Sequence, residues 1–61
     1  MSDTSMALTW VLMLQEEGFT KDDISFISKY IIPDMIQDVR DGKYNVCEAC
    51  ASIQNWALAV M

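Results

Sequence analysis

The residues best suited to chemistry are Cys47-Glu48-Ala49-Cys50. At helical spacing i and i+3, the two sulfurs share one side of a helix. Near a helix N-terminus, backbone donors lower a thiol pKa and favour the reactive thiolate. Thiol–disulfide exchange and zinc ligation both use such a pair. The thioredoxin-type redox reading needs a strand–helix–strand setting, which is missing, and Glu48 places a negative charge beside the thiol. Zinc takes four ligands. Two cysteines and no histidine leave carboxylates, or the cysteine pair of a second copy, to complete the set. The plainer reading is two small side chains buried on a packing face. No cofactor and no metal is therefore expected, and Cys47 and Cys50 remain the candidates for a redox or zinc module.

Carboxylates are the second resource. Nine acidic side chains face four basic ones, for a net charge of −5 in 61 residues, and there is no histidine. Histidine-based catalysis is excluded. So is an EF-hand, since no Asp-x-Asp-x-Asp-Gly loop with a distal Glu exists. Four cations cannot readily form the basic face that displaces counterions, so direct nucleic-acid binding is not expected. On one continuous helix, Asp23, Asp34 and Asp41 would align, with Asp38 nearby and Tyr30 at the flank. Such a stripe can meet a basic surface on a partner or imitate the phosphates of DNA. An acidic DNA-mimic inhibitor is thus an alternative function, and a merely solvated face is the bland one.

Phe26 projects almost opposite the apolar stripe of its own segment. A large aromatic there, with Tyr30 beside it, marks a second contact surface. Trp10 and Trp56 lie on apolar helix faces and are assigned to the core. The predicted partner-binding residues are Phe26, Tyr30, Asp23, Asp34 and Asp38. No catalytic residue is assigned.

Three helical segments must position these groups. The first covers about 5–17, with N-cap candidates from Ser2 to Ser5 and Gly18 as its stop. Between Met6 and Glu17 only Thr9, Gln15, Glu16 and Glu17 are polar. A helix apolar on most sides needs cover on most sides. The second covers about 20–41. Thr20 caps it, Asp23 takes the third position, and Phe19 and Ile24 have the spacing of a hydrophobic staple. Ile24, Ile27, Ile31, Met35 and Val39 form its stripe, kinked or briefly broken near Pro33. The third covers about 45–60. Asn45 and Glu48 form a capping box. Its inner stripe is Val46, Cys50, Ile53, Ala57 and Val60, with Ala49 and Trp56 on the flank.

These elements predict a single all-α domain, a compact unit of three helical segments. Hydrophobic residues make up 52% of the chain. That is rich for so small a monomer, which buries only about 60% of its unfolded surface. A homodimer is therefore expected. No segment reaches the roughly 20 apolar residues of a membrane span. No secretory signal is visible, and the cytoplasm is the expected compartment. The expected function is a small acidic, non-enzymatic protein–protein interaction module. It would act as an accessory or regulatory protein on a larger protein, or by self-assembly. By analogy, small phage accessory proteins have this character.

Overall fold

A computed structural model describes residues 2–61. The described residues are all-helical, in four helices rather than three: α1 (Asp3–Glu16), α2 (Lys21–Tyr30), α3 (Ile32–Arg40) and α4 (Val46–Val60). The extra helix comes from the expected interruption, which is a full break at one residue. Ile31 closes α2 and opens α3, with φ −100° and ψ −46°. Pro33 then falls in the first turn of α3. A first-turn residue has no intrahelical acceptor for its N–H, so proline costs nothing there.

Local chemistry accounts for the other ends. Ser2 caps α1 by accepting from the Ser5 backbone N–H at 3.1 Å. The helix therefore starts at Asp3, ahead of the expected Ser5. Thr20 accepts from the Asp23 N–H at 3.2 Å. The Asn45–Glu48 capping box is reciprocal, at 2.8 and 3.1 Å. Gly18 and Gly42 both have positive φ, 90° and 80°. Each forms a Schellman turn. Phe19 N donates to Leu14 O and Gly18 N to Gln15 O; Lys43 N donates to Asp38 O and Gly42 N to Val39 O.

The packing order follows from the ends. The cap Ser2 and Asp3 and Met6 of α1 line one open groove with Val39, Arg40 and Val46. Gln54 of α4 donates to Glu17, just past the end of α1, at 2.8 Å. Helices α1 and α4 thus run side by side in the same direction, and α3 runs back towards their starts. Both α1 and α3 pack against all three other helices, whereas the backbones of α2 and α4 do not approach closely.

Nine side chains form the buried core: Met6, Trp10, Leu14, Ile24, Ile27, Ile32, Ala49, Ile53 and Ala57. Two straight rows at i, i+4 and i+8 dominate it, Met-Trp-Leu on α1 and Ala-Ile-Ala on α4. Expectations about burial need correction at several positions. Ala49, expected on the flank of α4, is fully buried. Ile32, not Ile31, is the buried residue at the break; interrupting the helix shifts the inward register by one, and Ile31 is only half-buried. Val60, expected on the inner stripe, is 63% exposed in the last turn of α4. Helix α1 buries a single stripe and leaves Leu8 and Leu12 each 57% exposed. The total exposed surface is 4004 Å². A 6.9 kDa monomer is expected to expose about 4000 Å². The chain closes its core without help from a second copy.

Candidate partner-binding surface

Helix α2 supplies the centre of this surface. Its Thr20 cap fixes the helix start, and Phe19 and Ile24 both join the core. With Ile24 and Ile27 turned inward, Asp23, Phe26 and Tyr30 fall on another stripe at spacings of three and four. The Phe26 and Tyr30 rings lie 4.9 Å apart at 48°. Across the cleft between α2 and α4, Phe26 stacks on Trp56 at 6.2 Å with the planes 5° apart. The Lys29 ammonium sits 5.4 Å from the centre of the Tyr30 ring, a cation–π contact.

The result is a three-ring patch held by two helices. Phe26 is 45% and Tyr30 53% exposed, while Trp56 is half-buried. Trp56 was expected in the core. The core face of α4 is instead Ala49, Ile53 and Ala57, and Trp56 lies on the flank that faces α2. Sequence reasoning missed its place in this patch. The available signal was its position beside the inner stripe on a helix with no charge after Glu48.

The predicted acidic residues divide. Asp23 shares the α2 stripe with both aromatics. Asp34 lies in the first turn of α3, beyond the break, so the continuous acidic stripe of one long helix does not form. Asp38 is engaged by Lys43 at 3.7 Å, where the chain turns after α3. Other carboxylates are occupied too. Asp3 takes a two-point contact from Arg40, at 2.6 and 3.0 Å. Asp41 accepts from Gln37, Glu17 from Gln54, and Glu48 serves the capping box. Among the described residues, Glu16, Asp22, Asp23 and Asp34 have no ion-pair or side-chain hydrogen-bond partner. Negative charge is thus spread over all four helices.

Cys47 is exposed and Cys50 half-buried, both as free thiols. Burial pushes the Cys50 thiol above its usual range, and the neighbouring Cys47 adds to the rise. Both causes favour the protonated thiol over the thiolate. Among the described residues, no three His, Cys, Asp or Glu side chains gather as a metal-binding group. Among the same residues, no helix is long and apolar enough to cross a membrane. No protein-family model matches this chain, and neither curated proteins nor solved structures give a match to it.

Proposed function

We propose that this chain is a small acidic, non-enzymatic interaction module that covers a surface on a larger protein. It acts as an accessory or regulatory protein, in the cytoplasm, and it self-associates as a homodimer. The Phe26–Tyr30–Trp56 patch carries this reading. Aromatic rings already fixed by one another lose little freedom when a partner covers them, and aromatics dominate the binding energy of many interfaces. Asp22 and Asp23 precede the patch on α2 with their charges unpaired. A partner segment with an apolar anchor flanked by lysine or arginine is complementary to that arrangement.

The spread of carboxylates supports this reading over imitation of a phosphate track, since five of the nine already serve contacts within the chain. The raised pKa of the half-buried Cys50 weighs against that thiol as a redox nucleophile, which acts as the thiolate. The test is capture from the native host by the wild type and by Phe26→Ala. A partner held by the wild type and lost by the variant, with helix content unchanged, is expected. A partner held equally by both would remove the patch from the binding site.

A further inference from the structure

We infer that the Asp41–Gly42 bond is a modification site: when the turn after α3 opens, Asp41 converts to isoaspartate without a partner or cofactor. The Gly42 amide nitrogen attacks Cγ of the Asp41 carboxyl. Its proton and the carboxyl hydroxyl leave as one water, and a five-membered succinimide closes. Water then reopens the ring. Where it cleaves the former backbone carbonyl from nitrogen, the chain runs on through Cβ and Cγ, and the α-carboxyl becomes the side group. Atoms balance with no net change in mass, and nothing is oxidised or reduced. The sequence singles out this bond. A side chain on the next residue crowds the attacking nitrogen, and Asp41 is the only Asp or Asn followed by glycine. Gly18 follows Glu17, whose extra methylene would demand a larger ring.

The fold decides when the reaction runs. Both residues are exposed, and a methyl group on Gly42 would meet nothing within 4 Å, so water reaches the bond freely. The closed turn nevertheless withholds the nucleophile. Asp41 stands at ψ −5°, which sets the Gly42 nitrogen beside the nitrogen of Asp41 and away from the side-chain carboxyl. The Gly42 N–H is committed to Val39 O at 3.1 Å, and the Lys43 N–H to Asp38 O at 2.9 Å. Gln37 Nε2 holds the Asp41 carboxylate back along α3 at 3.0 Å. Attack therefore waits for local opening, and its rate is the chemical rate times the open fraction. The product is not neutral for the fold. Isoaspartate adds one atom to the backbone inside the Schellman turn, so both turn bonds must close over a longer path. The lead into the Asn45 cap of α4 shifts with them. The change marks chains that have opened and hinders their return.

Ageing the full chain at neutral pH, in plain buffer and in urea, tests this. Cleavage after lysine releases residues 30–43 as one peptide. Isoaspartate in it is read as a separately eluting peptide of unchanged mass, confirmed by enzymatic methylation of the new α-carboxyl. In urea it should accumulate at Asp41 and not at Asp34 or Asp38 of the same peptide. In buffer it should form about tenfold or more slowly, the cost of opening the turn. Gln37→Ala frees the carboxylate and should speed the reaction in buffer while leaving the urea rate unchanged. Gly42→Ala should suppress it in urea, where the fold plays no part. Equal rates in buffer and urea would overturn the control assigned to the turn, and equal conversion at Asp34 or Asp38 would overturn the site. A buffer rate untouched by Gln37→Ala overturns the hold assigned to that contact. The purified isoaspartyl chain should melt below the unmodified one; identical melting overturns the consequence for the fold.

Discussion

Phe26 and Leu12 are both large apolar side chains left about half open to solvent, yet their surroundings differ in kind. Phe26 is braced by two other rings, with a cation over one of them and unpaired carboxylates on the same helix. Leu12 stands on a helix with no charged side chain between Asp3 and Glu16. The first surface can recognise a partner by charge and by ring geometry. The second is an aliphatic row that ends on the unpaired carboxylate of Glu16, one turn further along. The contrast shows that half-exposed apolar side chains in a chain of 61 residues can stand in very different surroundings. Its acidic side chains lie on all four helices, and Leu8, Leu12 and Leu58 stand exposed on α1 and α4.

Removing what both surfaces share has the largest effect. Trp10 is completely buried at the centre of the α1 row. Trp10→Ala should cost about 3–5 kcal/mol. A domain of this size has only roughly 3–9 kcal/mol of stability in total. Urea denaturation should show a chain that has lost at least about a third of its stability, with both surfaces weakened together. A stable, well-packed variant would show that the surfaces do not depend on this core.

Phe26→Ala should separate the surfaces. Partner affinity should fall by about 2 kcal/mol or more, roughly 30-fold, as at other aromatic hot spots. Titration calorimetry with the captured partner measures the loss, and an unchanged affinity would dissolve the distinction drawn between Phe26 and Leu12. A smaller change comes from Thr20→Ala, which removes the α2 cap at a cost of about 1 kcal/mol. It should loosen the aromatic stripe while leaving α1 and α4 in place. Hydrogen exchange should quicken first in the opening turn of α2.

The smallest effect concerns the thiols of α4. In the folded chain Cys50 titrates above its usual value of 9.0. Above pH 9 the native state therefore holds more protons than the unfolded state, and stability falls as pH rises. The contribution is complete below that pH and is lost as pH climbs through the raised native value. Cys50→Ala should flatten this slope in denaturation curves taken between pH 8 and 10. Cys47, exposed on the same helix, should react faster than Cys50 with a thiol reagent in the native protein. Equal rates would mean that α4 does not hold Cys50 against the core.

Helix ends were legible because their causes are local. Thr20 and Asn45 each reach a backbone N–H three residues away, and Gly18 and Gly42 supply the positive φ that a Schellman turn needs. Pro33 announced an interruption for the same reason. What depends on another helix was harder to see. Nothing near Ile31 reveals that a one-residue break turns Ile32 inward. Trp56 reads as core on its own helix, and only the approach of Phe26 assigns it to a surface. Leu8 and Leu12 look like core as well, because α1 carries more apolar residues than its single buried stripe uses. The two Schellman turns make the same point. Phe19 after the first joins the core, while Lys43 after the second pairs with Asp38. Identical backbone endings serve packing in one place and charge pairing in the other.

The two indoles also make the molecule its own optical instrument. Trp10 is sealed from solvent, and its Nε1–H has no acceptor among the described residues. Trp56 is partly open and stacked on a ring at the proposed contact. Emission from Trp10 should be blue-shifted and shielded from aqueous quenchers; emission from Trp56 should be redder and quenchable. A bound partner would protect the second signal and leave the first unchanged, whereas unfolding would move both. Binding and collapse can therefore be told apart by colour in the unlabelled chain.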